Sequence, residues 1–275
     1  MCAGRDFQAV PFEPGSQALC PVRLAGLCLN QAGLPAHRTA GPGERLINLF
    51  PASSCGESPV LYLVIADAEV ELVPERIADH PTIRKRARAR RKPPSQLILD
   101  SNTDHRAMTS LPDGHRRGRP DITHICLLNA LGSIPCRRGE MRVFVHTRND
   151  EVMEFEPETR IPRSQNRFYG ILESILARKA GTNLVHYEQM GLARLKERLD
   201  PDVCLVMTRR GELVDIDSEI GRAQRAMVIV GGFPRGFYLS PVDEIGRLVR
   251  LCDEPLEAWT VVNEVVCSYS RRDAR

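Results

Sequence analysis

The chain has 275 residues, 42% of them hydrophobic, and a formal net charge of +3. That is enough apolar material for one large domain or two small ones, and no apolar run approaches the roughly 20 residues that a membrane helix needs. The small net charge conceals 34 arginines against 4 lysines. Arginine suits planar recognition of phosphate and stacking on bases, but GC-rich codon usage produces the same excess, so composition alone selects no function.

Nine cysteines stand at positions 2, 20, 28, 55, 126, 136, 204, 252 and 267 with no C-x-x-C pair, and the seven histidines are isolated. Neither a metal site nor a disulfide framework is indicated, and a reducing cytoplasm is the expected setting. Arg5, Asp6 and Glu13 precede an apolar stretch broken by Pro21 and Arg23, which is not a secretory pattern.

In chain order, residues 1–57 hold six prolines, seven glycines and four cysteines without any period. They read as a poorly ordered extension with at most a short helix at 44–50, leaving 58–275 as the structured domain. Val60–Ile65 is a continuous apolar run, the signature of a strand buried on both faces. Arg84–Lys92 follows, with seven basic residues in nine; it is either a solvated helix end or a phosphate-contact patch. Leu97–Leu99 reads as the next strand. Asp121 then opens a helix over 121–132, most simply as its N-cap. Its neighbours Arg116, Arg117 and Arg119 allow a second reading, a carboxylate that takes a proton or hydrogen bond from a substrate those arginines hold. His124 and His146 rank lower as candidates for chemistry.

Met141–His146 is expected to be a buried strand, and the alternating Glu151–Pro157 a half-exposed one hairpinned to it through Arg148-Asn149-Asp150. Beyond it, prolines alternate with arginines in Pro157–Phe168, a stiff approach that sets Arg160, Arg163 and Arg167 at spacings of three and four, near one line. Such a row suits a grip on successive phosphates. Helix-period segments at 162–179, 188–199 and 256–270 and apolar runs at 203–207 and 226–230 complete the pattern. Strands alternating with helices predict an α/β domain with a largely parallel sheet. Gly231-Gly-Phe-Pro-Arg-Gly236 closes the last strand; it is neither a dinucleotide fingerprint nor a P-loop, and it reads either as a plain turn, the commoner case, or as glycines that let the backbone approach a ligand at the edge of the sheet. Leu251–Ala258 is a polar, proline-containing entry to the last helix, which carries Trp259 and packs Val262, Val265 and Val266 on the sheet or on a second subunit.

Together, Leu99-Asp-Ser101, Arg116–Ile122, Val145–Asp150, Glu158–Arg163, Gly231–Gly236 and Pro255–Ala258 resemble the N1-specific pseudouridine methyltransferases of small-subunit ribosomal RNA, members of the SPOUT superfamily. The resemblance spans about 59–270, and the Gly-Gly-Phe-Pro form is similar to the archaeal, cytoplasmic branch. It implies a parallel sheet flanked by helices with a C-terminal trefoil knot, and a homodimer. It further implies S-adenosylmethionine held by Met207, by Gly231 and Gly236 with Phe237 and Tyr238, and by Leu251, Cys252, Asp253, Glu254, Pro255 and Leu256. Asp121 matches the family's proton acceptor, and Arg119, Arg160, Arg163 and Arg167 match its RNA-contacting arginines. No metal or membrane is implied. Residues 1–57 have no counterpart in the resemblance, and the run 84–92 is more basic than it requires. Two alternatives stand beside this reading: the same chemistry on transfer RNA, and a ribosome-assembly factor for which RNA binding suffices.

Overall fold

A computed structural model describes residues 60–272; the expectations for residues 1–57 lie outside them. The first strand, β1 (Val60–Ala68), sits at the middle of a seven-stranded sheet. Its residues alternate between two cores, which is why the run is apolar throughout. Leu61, Leu63 and Ile65 face one cluster, and Tyr62, Val64 and Ala66 face the other.

After β1 come α1 (Pro81–Arg90), α2 (Ser101–Met108), α3 (Pro120–Leu131) and the short α4 (Ile134–Arg137). Then β2 (Met141–Thr147) and β3 (Glu151–Phe155) lead into α5 (Gln165–Arg178) and β4 (Val185–Gln189). The remainder is α6 (Leu192–Leu199), β5 (Val203–Leu213), α7 (Ile216–Ile220), β6 (Arg225–Gly231), α8 (Val242–Ile245), β7 (Arg247–Arg250) and α9 (Ala258–Ser270). The sheet order is β4-β3-β2-β1-β6-β5-β7. The pairs β1–β2, β1–β6, β5–β6 and β5–β7 are parallel, and only β3 runs antiparallel to its neighbours β2 and β4. The larger core lies under α3, α5 and α9, the smaller under α6 and α8.

Four expectations are corrected. Leu97–Leu99 is not a sheet strand, since Ile98 makes one isolated bridge to Leu72. Its leucines are apolar because they fill a third core with Ile83, Ala87 and Met108 in the excursion between β1 and α3. The strand at 151–155 is buried rather than half-exposed: β4 covers its outer edge, while Val152 faces one core and Met153 and Phe155 the other. The helical segment placed at 188–199 is divided, with Glu188 and Gln189 ending β4 before α6 begins. Asp121 is not the N-cap of α3; Arg119 stands there and Pro120 takes the first helical position, where its missing N–H costs nothing.

The excursion is fastened by carboxylates that β1 carries past its end. Glu69 and Glu71 are buried. Glu69 accepts from Arg116 Nε and from Arg148 (2.7 Å), while Glu71 takes the fork of Arg117 at 2.7 and 2.6 Å. Glu69→Ala would strand the buried Arg116 guanidinium and take from half-buried Arg148 its nearest carboxylate, so we expect a loss of about 3–5 kcal/mol in urea unfolding. A loss below about 1 kcal/mol, the size of a surface pair, would show that this carboxylate does not hold the excursion.

Candidate active site

The parallel strands β5, β6 and β7 end together, and the loops that leave them enclose a cavity of about 780 Å³. Its size falls in the roughly 300–1,000 Å³ range of small-molecule sites, and the C-terminal edge of a parallel sheet is where such sites form. Gly231 and Gly232 make the tight exit from β6. A Cβ on Gly231 would come within 2.7 Å of the Phe233 ring, and one on Gly232 within 2.8 Å of the Ala68 backbone. Gly236 has φ +94°, a conformation strained for any side chain.

Beyond Gly236 the chain folds back over the strands. Tyr238 meets Phe233 edge to face at 5.1 Å, and its hydroxyl donates to the Met207 carbonyl at 2.9 Å. Burial pushes the Tyr238 pKa well above the tyrosine range, so this hydroxyl remains a donor. Two charged groups hold the loop from below. The Arg116 guanidinium lies 4.2 Å over the Phe233 ring and donates to the Phe237 carbonyl. Asp67, at φ +49°, accepts from the backbone N–H groups of Leu239 (2.5 Å) and Ser240 (3.0 Å) and from the Ser240 hydroxyl (2.7 Å). Burial raises the Asp67 pKa, but hydrogen bonds with His146 and Ser240 outweigh it and hold the group below the usual carboxylate range.

All eleven residues expected to hold a cofactor line this cavity: Met207, Gly231, Gly236, Phe237, Tyr238, Leu251, Cys252, Asp253, Glu254, Pro255 and Leu256. Phe237 is 64% exposed at the rim, with Arg210 stacked 4.9 Å from its ring centre. Glu257 continues the wall and also favours the charged form of Arg119.

Arg119 leads to the second cluster. Its fork engages both Asp121 oxygens at 2.9 and 2.8 Å, and that hydrogen bonding raises the Arg119 pKa. One turn along α3, His124 donates from Nε2 to the Pro162 carbonyl (2.8 Å) and stacks on Phe168 at 4.4 Å. This contact draws the arginine row towards Asp121. Thr159 fixes the other end of the row through the Leu184 carbonyl at 2.8 Å. Arg160, Arg163 and Arg167 are exposed, and none has an acidic partner among the described residues.

The residues around Asp121 differ from expectation in two ways. Arg116 and Arg117 do not hold substrate, because buried Glu69 and Glu71 occupy them. His124 and His146 are structural: the first ties α3 to the arginine row, and the second is buried between Asp67 and Asp150. Sequence reading missed Asp67, Glu69 and Arg116 as supports of the cavity loop. Asp67-Ala-Glu-Val-Glu71 reads as a polar strand end, and nothing local reveals partners so distant in the chain.

The family description EMG1/NEP1 methyltransferase matches residues 63–270. The chain belongs to that family. A relative from Thermococcus kodakarensis, named ribosomal RNA small subunit methyltransferase Nep1, is 49% identical over 216 residues, covering 76% of this chain and 97% of its own. Its Pyrococcus furiosus namesake is 48% identical, covering 76% and 96%. The crystal structure of Archaeoglobus fulgidus Nep1 bound to S-adenosylhomocysteine matches with a TM-score of 0.70 and 32% identity, over 79% of this chain and all of that one. For an EMG1/NEP1 methyltransferase, the cavity fits an adenosyl ligand: its glycines bring bare backbone to the surface, and its wall mixes apolar side chains with a few polar groups.

Because the Asp67 pKa is depressed in the folded chain, its stabilisation is present above the ordinary aspartate value and lost as pH falls through the lower folded value. Melting curves of the wild type and Asp67→Asn should therefore differ most near neutral pH and converge below about pH 4. A gap that does not change with pH would mean that Asp67 is not the charged clamp of this loop.

Proposed function

We propose that this chain transfers a methyl group from S-adenosylmethionine to N1 of a pseudouridine in small-subunit ribosomal RNA, and so takes part in biogenesis of that subunit. One observation carries the proposal: in a chain of this methyltransferase family, a cavity of cofactor size has in its wall Glu257, which acts electrostatically on the Arg119 of a carboxylate–arginine pair, and the chain also presents a row of arginines without acidic partners among the described residues. The names of the Thermococcus and Pyrococcus relatives supply the RNA class.

When bound, S-adenosylmethionine supplies a methyl group on a positively charged sulfur. Met207, Gly231, Gly236 to Tyr238 and Leu251 to Leu256 would hold it. The other tasks belong to side chains near Asp121. Pseudouridine carries a hydrogen on N1 where uridine carries the sugar, and that nitrogen is a weak nucleophile until the hydrogen is taken or hydrogen-bonded. A carboxylate has about four lone-pair positions, so Asp121 can accept from N1–H while still paired with Arg119. The pair also fixes the carboxylate's direction. Arg119 keeps three of its five N–H groups for the RNA. Arg160, Arg163 and Arg167, rigidly presented and unpaired, would grip phosphates and keep the base turned out of its stack.

The proposal includes residues 58–275 as one methyltransferase domain with residues 1–57 as an extension, a C-terminal trefoil knot, a homodimer and a cytoplasmic setting. Among the described residues, the five cysteines are free, no helix is long and apolar enough to cross a membrane, and no group of three or more His, Cys, Asp and Glu could hold a metal ion.

Three variants should dissociate the functions. Gly231→Val should weaken S-adenosylhomocysteine binding by calorimetry at least tenfold while RNA affinity persists, since the new side chain collides with Phe233 and reshapes the cavity. Arg163→Ala should leave that binding intact but weaken RNA and reduce the slope of log affinity against log salt by about 1. Asp121→Asn should bind both ligands and lose about 10²–10⁴-fold in kcat. Unchanged kcat would remove Asp121 from the chemistry, and loss of cofactor binding in Arg163→Ala would show that the arginine row supports the cavity.

A further inference from the structure

The fold divides the basic run Arg84–Lys92 into two groups. Arg86 pairs with buried Asp104 at 2.7 Å and donates to the Ile98 carbonyl at 2.8 Å. Arg90 and Lys92 take the two oxygens of buried Glu173 at 2.9 and 2.6 Å. These three cations fasten α1 to α2 and α5. The other four, Arg84, Lys85, Arg88 and Arg91, are exposed and have no acidic partner among the described residues.

Helical periodicity places Arg84 and Arg88 on one stripe with Lys85 beside it, and Arg91, the left-handed C-cap at φ +52°, follows directly after the last turn. Arg84 and Arg88 are about 6 Å apart along the axis, comparable to neighbouring phosphates on a strand. The stability of α1 does not account for this stripe. Cations in the last turn suit the helix dipole, but Arg84 stands near the N-terminal end, where positive charge is repelled and α1 offers no acidic residue. Three like charges on so short a helix, with a fourth at its C-cap, repel one another as well. The cost is offset when a polyanion lies along the stripe.

We infer that this face of α1 is an accessory RNA-binding surface, which grips the phosphate backbone of the ribosomal RNA outside the methylated loop. The inference rests on the ribosomal RNA reading above. Its placement supports it: Glu173, the anchor of α1, lies six residues beyond Arg167 on α5, about 9 Å along that helix. The RNA grip of the arginine row can therefore continue onto α1. The stripe presents cations and Ala89 without aromatic rings, so it holds backbone and does not read bases.

The test uses the full chain and two synthetic RNAs: a minimal small-subunit rRNA hairpin with one pseudouridine, and the same hairpin extended by its flanking helices. Wild type should bind the extended RNA more tightly. The variant R84Q/K85Q/R88Q/R91Q should lose that gain, with affinity for the extended RNA down on the order of tenfold and the salt slope reduced by about 2–4. If the variant keeps the full advantage and slope, the inference is overturned and the stripe faces another partner, such as an acidic protein. Methyl transfer by the wild type to the hairpin is scored separately, so failure of the functional reading is distinguishable from failure of the patch.

Discussion

Buried carboxylates at and just past the end of β1 organise both halves of the site. Asp67 takes the amides that follow the glycine loop, Glu69 takes Arg116 and Arg148, and Glu71 takes Arg117. Burial makes each carboxylate costly unless it is fully paired, so each partner is held in one place. Arg116 then carries the constraint across the site. It is bound by Glu69, supports the Phe233 ring and the Phe237 carbonyl, and lies three residues before Arg119. The cavity loop and the Arg119–Asp121 pair are thereby fixed to the same strand end.

The arginines thus have three roles that their abundance hides. Arg116 and Arg117, with Arg86 and Arg90, complete buried charges and hold the framework. Arg119 orients a carboxylate. Arg160, Arg163 and Arg167, with the outer face of α1, remain available for phosphate. The planar fork serves every role, and a lysine could not replace it where two oxygens of one carboxylate are engaged, as at Glu71 and Asp121.

The central strands were legible because each is buried on both faces, which forces continuous apolar runs at 60–65, 203–207 and 226–230 and a run at 141–146 broken only by Arg142 before it ends in His146. The same rule misled at Leu97–Leu99, where the apolar residues fill a satellite core without joining the sheet. The short edge strands β4 and β7 carry polar sequences, His186-Tyr-Glu-Gln189 and Arg247-Leu-Val-Arg250, and gave no periodic signal. The cavity-lining residues were legible only through family resemblance, since two glycines after a strand are otherwise a turn. The supporting carboxylates were not legible, because their partners lie 46, 47 and 172 residues away in the chain. A basic run likewise says nothing of which members are already paired until Asp104 and Glu173 are located in space.

The most direct test of the account is transfer of labelled methyl from S-adenosylmethionine to a synthetic small-subunit rRNA hairpin that carries either pseudouridine or uridine at one position. Transfer to the pseudouridine RNA alone is the predicted result, because only that base presents a hydrogen on N1 for Asp121 to accept. Equal labelling of both RNAs, or tight binding of both without transfer, would contradict it.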